Sequence, residues 1–296
     1  MPDAGNTPVI EAVIINYNAG EALARCVAAV FAQPLATRVT VVDNASADDS
    51  LENLRRSTGE TQDLQIQANG ANLGFARAVN AAVPGLKGSA PYLLILNPDC
   101  ELLPGSLVEL VNALDRDPGA ALAGPAVVDR KGRPMKATLR SFPTPLKSFL
   151  TFSGLWRLGR WIPALQGVDL SGQMPSDTAK AEAVTGACML LRRALFLEMG
   201  GLDESYGMHC EDLDLMYRIN QGGMHCLLVP SARVFHDQGL SSKSRPGWVH
   251  WQKHLGMQRF FLKFQADQYS LPVRWLVLSG IWARFLVTWP LAWFGR

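Results

Sequence analysis

The strongest constraint on the fold is the alternation of short apolar runs with helix-type patterns in the first 118 residues. The apolar runs have the length of buried strands, whereas the segments between them place apolar residues three or four positions apart, as helices do. We predict strands over 9–15, 39–42, 64–66 and 92–96, and helices over 21–33, 49–56, 74–83 and 107–114. This alternation is typical of an α/β domain in which a mainly parallel sheet carries helices on both faces.

Two of these predicted strands end in polar residues that include an aspartate. Asp43 follows the second strand, and Asn97-Pro98-Asp99 follows the fourth. In open α/β sheets ligands bind beyond the carboxyl ends of strands, so we expect both aspartates at the ligand-binding edge. A third acidic group, Glu211-Asp212-Leu213-Asp214, lies far downstream. Together these acids predict a metal-assisted transferase that acts on a nucleotide-activated substrate.

The composition narrows the class of protein. Of the 296 residues 48% are hydrophobic, which is enough for a full core and too many for a disordered chain. The net charge of +2 is too small to indicate a nucleic-acid-binding protein. The five cysteines are odd in number and form no C-x-x-C pair, which favours reduced thiols over a disulfide framework. The N-terminus lacks the basic and apolar regions of a signal peptide, so we expect the catalytic domain in the cytoplasm.

The pattern becomes less regular after Gly119. Residues 134–180 contain many Pro, Gly and Ser residues and allow no assignment. The remaining segments predict strands over 122–128, 184–191 and 226–229, and helices over 193–199 and 212–221.

The C-terminal residues 271–295 are strongly apolar and rich in tryptophan. A membrane-spanning helix needs about 20 apolar residues without charges, and Arg284 and Pro290 interrupt this segment. Tryptophan and arginine together suit the headgroup zone of a bilayer, so an interfacial segment on the membrane surface is the prediction. A single span, and packing against the protein's own core, are the alternatives.

Asp99 and His236 are the candidate metal ligands. A hard cation such as Mg²⁺ or Mn²⁺ takes oxygen ligands, commonly a carboxylate together with substrate phosphates and water. Asn97 could contribute through water or orient the site. His236 follows a late apolar segment, where it could bind metal or donate to a phosphate. The alternatives are an ordinary Asn-Pro-Asp turn and a structural histidine.

A Gly- and Asn-rich turn, 69–74, leads into the helix predicted to begin at Gly74. Backbone N–H groups at a helix N-terminus attract phosphate, and Arg77 and Asn80 would lie on nearby helical turns. The segment has neither a Walker A nor a G-x-G-x-x-G sequence, so an ordinary capped helix is the alternative. Asp43, at the end of its strand, could accept a hydrogen bond from a pyrimidine N3–H, or could belong to a solvated turn.

The acidic group at 211–214 opens a predicted helix. Carboxylates this close together raise one another's pKa, toward a value that suits a general base. An acidic first turn that merely favours the helix dipole is the alternative. The spacing of His250 and His254, and the pairs His209-Cys210 and His225-Cys226, do not match known zinc sites.

These elements, taken in order, resemble the family 2 glycosyltransferases with the GT-A fold, particularly their rhamnosyltransferase-like members. The resemblance covers roughly residues 9–242. The matching stretches are Val13–Asn18, Val41–Ser46, Asn72–Ala76, Leu96–Asp99, Thr185–Ala187, Gly200–Glu204 and Glu211–Leu215. Each stretch is short, but the ordered set is specific.

The resemblance implies a role for each candidate residue. Asp43 would read the nucleotide base with help near Asn16 and Tyr17, and Asp99 would be the main metal ligand, completed by His236. Asp212 would be the catalytic base of the E-D motif. The other implied substrate contacts are Asn72, Gly74, Arg77, Asn80, Asn97 and Glu211. One departure concerns the acceptor side, where relatives often carry aromatic residues before E-D and this chain has Gly207-Met208-His209-Cys210.

The implied activity is inverting transfer of a sugar from a nucleoside diphosphate donor. The resemblance favours dTDP-rhamnose, with UDP-sugars as runner-up, and a lipid-linked or polysaccharide acceptor in cell-envelope glycan synthesis. We expect a GT-A domain over 1–242, with its nucleotide-sugar half at about 1–118 and its acceptor half at about 119–242. A helical, membrane-associating segment over 243–296 would hold the enzyme at the inner face of the cell membrane. A nucleotidyltransferase and an inactive nucleotide-binding scaffold are the rival interpretations.

Overall fold

The computed structural model describes residues 9–59, 61–86, 88–237 and 245–294. Its strands are β1 (Ile10–Asn16), β2 (Thr37–Asp43), β3 (Leu64–Ala68), β4 (Tyr92–Leu96), β5 (Cys100–Leu102), β6 (Ala120–Val128), β7 (Leu139–Arg140), β8 (Ala179–Ala181), β9 (Ala183–Val184), β10 (Cys188–Arg192) and β11 (His225–His236). Its helices are α1 (Ala22–Phe31), α2 (Ser50–Thr58), α3 (Phe75–Ala82), α4 (Ser106–Arg116), α5 (Pro145–Ser153), α6 (Arg193–Glu198), α7 (Glu211–Gln221), α8 (Pro246–Phe264) and α9 (Leu271–Phe294).

The main sheet has the strand order β3-β2-β1-β4-β10-β6-β11-β5, and β8 pairs with β11. The strands β3, β2, β1, β4, β6 and β11 run in one direction, whereas β10, β5 and β8 run in the other. The sheet is therefore mixed and mainly parallel, as the alternation of strands and helices predicted. A small second sheet pairs β7 with β9.

Helices cover both faces of the sheet, and this explains why β1 is buried along its whole length. One core layer contains Leu23 of α1, Leu54 of α2 and Leu107 of α4. The opposite layer contains Val79 of α3 and, from the later helices, Phe196, Leu215 and Phe260. Burial on both faces favours the near-continuous apolar runs of the predicted strands.

Two strand predictions in the second half were wrong in extent. The single strand predicted over 184–191 is divided into β9 and β10, because Thr185-Gly186-Ala187 leaves the sheet to contact α7. The strand predicted over 226–229 continues as β11 to His236, past an irregularity in its pairing with β6 between Val229 and Arg233. This extension places His236 opposite Cys100 of β5, a strand that the sequence did not predict.

The C-terminal segment forms a pair of helices that pack through aromatic side chains. Phe285 of α9 stacks on His250 of α8 with ring centroids 5.2 Å apart, and Trp282 lies 4.9 Å from Trp251. Pro290 does not end α9, which continues to Phe294. By length and composition Leu271–Pro290 could cross a membrane, and none of that window is buried.

Candidate active site

The candidate metal ligands meet where β4 leaves the sheet and β11 ends. Asp99 is the third residue after β4, and His236 is the last residue of β11. The Asp99 Oδ1 atom lies 3.2 Å from His236 Nε2, and both side chains are almost fully buried. The backbone N–H of Asp237 donates to the Asp99 carbonyl over 3.1 Å, which fixes the two segments together.

The chemistry of this corner suits a hard divalent cation. Asp99, Cys100 and His236 each present a ligand atom within 4.8 Å of the others. Burial raises the pKa of the Cys100 thiol well above its usual range, and its Sγ atom donates to the Ala187 carbonyl over 3.5 Å. A protonated thiol is a poor ligand, so the usable donors are the carboxylate and the imidazole. A carboxylate with room for phosphate oxygens is the set that Mg²⁺ and Mn²⁺ prefer.

Asp43, the last residue of β2, is held in place by Asn16, its register partner on the neighbouring strand β1. The Asn16 amide donates to Asp43 Oδ1 over 2.7 Å, and the backbone N–H of Ser46 donates to Asp43 Oδ2 over 3.1 Å. Among the described residues, the buried Asn16 Oδ1 has no hydrogen-bond partner. Tyr17 follows directly and is half-buried. Asn16, Tyr17 and Asp43 thus lie together at the carboxyl ends of β1 and β2.

The Asn-rich turn before α3 packs between Asp43 and the acidic group. The Asn44 amide donates to the Gly74 carbonyl over 3.2 Å, and Asn72 Oδ1 accepts the Gly74 N–H over 2.9 Å. Gly74 has a φ of +81°, and a Cβ atom there would lie 3.7 Å from the Gly207 carbonyl. The turn is therefore left-handed at Gly74 and borders the segment that leads to Glu211.

The side chains of Arg77 and Asn80 face the turn 201–204. Asn80 donates to the Leu202 carbonyl over 2.7 Å and accepts the Leu202 N–H over 2.9 Å. Arg77 pairs with Glu204 at 3.8 Å. These contacts join α3 to the turn 201–204, and nucleotide binding by the two residues stays a prediction.

Asp212, at the start of α7, contacts an arginine that the sequence analysis missed. Arg140 of β7 forms a part-buried ion pair with Asp212 Oδ2, and also donates to the Val184 carbonyl. Gly186 also packs against this carboxylate, because a Cβ atom there would lie 2.4 Å from Asp212 Oδ2. Arg140 belongs to the unassigned segment 134–180, and no spacing signal marks it.

Glu211 is the acidic residue whose pKa rises most clearly. Burial, followed by the charge of Asp212, raises its pKa to about 8. Its Oε2 atom has no hydrogen-bond partner among the described residues. The upward shift expected in this acidic group therefore falls on Glu211, whereas the resemblance gives the role of base to Asp212. The two residues before Glu211, His209 and Cys210, have φ values of 67° and 73° and form a strained turn.

Asp214, by contrast, has a structural role. Its carboxylate is fully buried and pairs with Arg218 at 2.7 Å and with Lys263 of α8 at 2.6 Å. It ties α7 to α8.

A chain of short contacts joins the segment of the candidate metal ligand Asp99 to the acidic residues 211–214. The Asn97 N–H donates to the Ala187 carbonyl over 2.8 Å, and the adjacent Gly186 packs on Asp212. Asp99 and Asp212 therefore share one edge of the sheet, although 113 positions separate them in the chain. The sequence analysis also missed Arg25 and Arg130, which pair with Glu101 at 2.9 Å beside this corner.

A family model confirms the relationship that the motifs indicated. The model of glycosyl transferase family 2 matches residues 11–200. The chain belongs to glycosyl transferase family 2. The match includes Asp99 and ends before Glu211 and His236.

Curated relatives of this family member include rhamnosyltransferases. It is 29% identical over 291 residues to N-acetylglucosaminyl-diphospho-decaprenol L-rhamnosyltransferase of Mycobacterium tuberculosis, which covers 93% of this chain and 91% of the relative. It is 24% identical over 177 residues to rhamnosyltransferase WbbL of Escherichia coli K12, with 57% of this chain and 62% of the relative covered. The family and these relatives support an inverting glycosyltransferase of cell-envelope glycan synthesis.

Solved structures confirm the expected GT-A fold. The mannosyltransferase PcManGT from Pyrobaculum calidifontis, in complex with GDP-Man and Mn²⁺, matches 99% of this chain and 74% of its own with a TM-score of 0.59 and 17% identity. GalNAc-T7 with UDP, GalNAc and Mn²⁺ matches 78% of this chain and 44% of its own with a TM-score of 0.57 and 18% identity.

Proposed function

We propose that this enzyme transfers rhamnose, with inversion, from dTDP-rhamnose to a lipid-linked acceptor at the cytoplasmic face of the cell membrane. The observation that carries the proposal is the meeting of Asp99, His236 and Asp212 at one edge of the sheet. The 29% identity to a relative named as a diphospho-decaprenol-linked rhamnosyltransferase favours this donor and this acceptor class.

Asp43 and Asn16 form the nucleobase end of the proposed site. A thymine ring presents an N3–H donor between two carbonyl acceptors, so its recognition needs a fixed acceptor on the protein. Asp43 is held by two hydrogen bonds, and the unpartnered Asn16 Oδ1 offers a further buried acceptor beside it. An unsatisfied buried acceptor is costly, and a nucleobase donor would satisfy it.

Asp99 and His236 form the diphosphate end. They are the residues that would hold Mg²⁺ or Mn²⁺, which when bound offsets the charge of the departing nucleoside diphosphate. The backbone N–H groups at the start of α3, after Asn72 and Gly74, are proposed to bind the phosphates, because a helix N-terminus favours phosphate. Arg77 and Asn80 are proposed to support this binding from the next turns of α3.

Asp212 is the proposed general base. Arg140 contacts its Oδ2 atom, so Oδ1 is the atom that accepts the proton of the acceptor hydroxyl as the new glycosidic bond forms. Gly186 allows the carboxylate to lie this close to the sheet edge. Glu211, with its raised pKa, is protonated at neutral pH and is proposed to donate a hydrogen bond to a substrate oxygen.

The membrane association proposed for the tail is supported by its exposed apolar side chains. Trp275 and Leu276 of α9 are 69% and 71% exposed, and a water-facing helix rarely presents such residues. Leu286 and Val287 continue the same apolar surface. An α9 that lies in the interface suits an acceptor carried by the bilayer.

Transfer assays with purified enzyme and Mn²⁺ test this proposal. We expect product from dTDP-rhamnose with a polyprenyl-diphosphate-linked acceptor, and little from UDP-glucose or UDP-N-acetylglucosamine. Product from a UDP-sugar instead would assign the runner-up donor. Formation of a nucleotide sugar from a sugar phosphate and a nucleoside triphosphate would indicate the rival nucleotidyltransferase. An inactive scaffold would bind nucleotide and form no product.

A further inference from the structure

Two cations of the C-terminal helices lie together without an acidic partner. Among the described residues, no Asp or Glu oxygen lies within 4.0 Å of a side-chain nitrogen of Lys253 or Arg284. The guanidinium of Arg284 instead lies over the Phe152 ring at 5.9 Å, and its Nη1 atom contacts Met257 Sδ at 3.6 Å. Its buried Nε–H has no acceptor among the described residues. Lys253 is exposed to solvent, and the protein atoms around its ammonium, followed by the charge of Arg284, lower its pKa.

The buried Nε–H of Arg284 is unfavourable without an acceptor, and an anion beside Lys253 would supply one. Two like charges at close range repel each other, and a buried donor without an acceptor loses the hydrogen bond that it makes in water. Elsewhere on these helices, Lys263 contacts Asp203 and Asp214, Arg274 contacts Asp267 at 3.2 Å, and Arg259 lies over the Tyr206 ring at 5.8 Å. Among the described residues of these helices, Arg284 is the cation whose buried nitrogen lacks an acceptor.

The cation pair borders the catalytic turn. A Cβ atom on Gly256, one helical turn after Lys253, would lie 3.0 Å from the His209 carbonyl and 3.2 Å from Cys210 Sγ. Helix α8 therefore packs directly against the residues that precede Glu211. Burial and the nearby charge of Lys253 lower the pKa of His209, in keeping with this proximity. An anion on Lys253 and Arg284 would lie beside the proposed base.

The opposite side of the cation pair leads to an exposed apolar surface. Helix α5 presents Phe149, 60% exposed, and the turn after it presents Trp161, 73% exposed. Arg284 joins this segment to α9 through Phe152. The two parts of the chain that contribute to this surface are basic. Residues 130–168 contain eight Lys and Arg residues and no Asp or Glu. Residues 238–296 contain eight Lys and Arg residues and one Asp.

We propose that Lys253 and Arg284 bind the diphosphate of the lipid-linked acceptor, whose isoprenoid chain lies along the apolar surface of α5 and α9. The inference rests on the proposed function, because it assigns the acceptor site of that reaction. A diphosphate supplies the missing anion, and a guanidinium with an ammonium is a common pair of phosphate ligands. The sugar attached to the diphosphate then reaches Asp212 across the His209-Cys210 turn.

Binding of farnesyl diphosphate to the full-length enzyme tests the site without requiring transfer. We expect Lys253→Gln and Arg284→Gln each to weaken binding about tenfold in calorimetry, as for the loss of one charged hydrogen bond. Binding of farnesol should not change. Arg274→Gln, which removes a paired cation from the same helix, is the matched control and should bind as the wild type does. Arg284→Lys, which keeps the charge, should retain most of the affinity and shows that loss does not reflect misfolding.

Vesicle binding and kinetics separate the acceptor from other anions. The proposal predicts an acceptor KM raised about tenfold in either Gln variant, with an unchanged KM for the sugar nucleotide. Equal farnesyl diphosphate affinity in wild type and variants would overturn the assignment. So would a loss of binding to phosphatidylglycerol vesicles with farnesyl diphosphate binding intact, since the cations would then serve bulk headgroups. If the wild type binds farnesyl diphosphate through these residues but transfers no sugar, the proposed function fails and the anion site stands.

Discussion

At the scale of single residues, the acidic turn divides its work among three carboxylates that the sequence presents as one cluster. Asp214 is fully buried and neutralised by Arg218 and Lys263, so it stabilises the fold. Asp212 contacts Arg140. Among the described residues Glu211 forms no ion pair, and it holds its proton because loss of solvent around the carboxyl, followed by the charge of Asp212, raises its pKa to about 8. The chemistry therefore depends on which carboxylate meets which cation, and residue spacing alone does not reveal this.

Replacing Asp212 by Asn tests its role as the base. The substitution removes the proton acceptor and keeps the shape, so we expect kcat to fall by about 10² to 10⁴. Binding of dTDP should change little, because the proposed role of Asp212 is to act on the acceptor. Steady-state kinetics with calorimetry of dTDP binding measure both, and a variant with near wild-type turnover would exclude Asp212 as the base.

Glu211 gives a prediction for stability against pH. Its folded-state pKa of about 8 lies above the ordinary value of 4.5. The folded protein therefore binds the proton more tightly than the unfolded chain does. The stabilisation that this tighter proton binding gives to the folded protein is fully present below about pH 4.5 and is lost as the pH rises through about 8. Urea unfolding between about pH 5 and pH 9 should show Glu211→Gln gaining stability relative to the wild type as the pH rises. Parallel pH curves for the two proteins would contradict the shift.

At the scale of elements, the interruption between β9 and β10 positions the site. Gly186 allows the chain to pass within contact distance of Asp212, and the next residue accepts the Asn97 N–H. The apolar periodicity of 184–191 predicted one continuous strand, because a strand that departs for three residues keeps its hydrophobic pattern. The contact between Gly186 and Asp212 joins residues 26 positions apart and forms only in the folded chain. In the sequence, the glycine itself is the feature that indicates it.

Gly186→Ala should displace Asp212 without removing it. The added methyl group meets Asp212 Oδ2 at 2.4 Å, so we expect kcat to fall at least about tenfold. Gly85→Ala is the matched control, because a Cβ atom there meets nothing within 4 Å. Equal activity of the two variants would show that Asp212 tolerates movement and is not positioned by this contact.

The strands and helices with a regular spacing of apolar residues were predictable from the sequence. The prediction of β4 over Tyr92–Leu96 matches its bounds, and α1 and α7 differ by a residue or two. Residues 134–180 resisted assignment because their order comes from distant polar contacts. The Thr138 N–H, for example, donates to Ser171 Oγ over 3.0 Å, and Ser141 Oγ donates to the Gly167 carbonyl over 3.1 Å. Arg140 was missed for the same reason.

At the scale of the whole molecule, the catalytic edge and the apolar helices are linked through α8. Its Gly256 packs on the turn before Glu211, while its aromatic residues His250 and Trp251 pack on α9. The sequence predicted an apolar tail that associates with membrane, but it did not predict that α8 connects the tail to the acidic turn. Helix α8 thus links the apolar tail to the acidic residues at 211–214.

Polar substitution of the exposed α9 residues tests membrane association. Trp275→Ser together with Leu276→Ser removes apolar area that faces solvent, worth about 3 to 5 kcal/mol of transfer free energy at 25 cal/mol per Å². We expect much weaker co-flotation with phosphatidylglycerol-containing vesicles and an unchanged dTDP affinity. Undiminished flotation would mean that this face of α9 does not contact lipid.

The most direct test of the central claim is metal-dependent stabilisation by nucleotide, measured as thermal unfolding of the wild type and of Asp99→Asn. The claim is that Asp99, His236 and Asp43 form one site for a metal-bound nucleoside diphosphate. It predicts that dTDP at about 100 times its Kd raises the Tm of the wild type by several degrees when Mn²⁺ is present and not when it is chelated. Asp99→Asn should lose that shift. Equal stabilisation with and without Mn²⁺, or an unchanged shift in Asp99→Asn, would contradict the account.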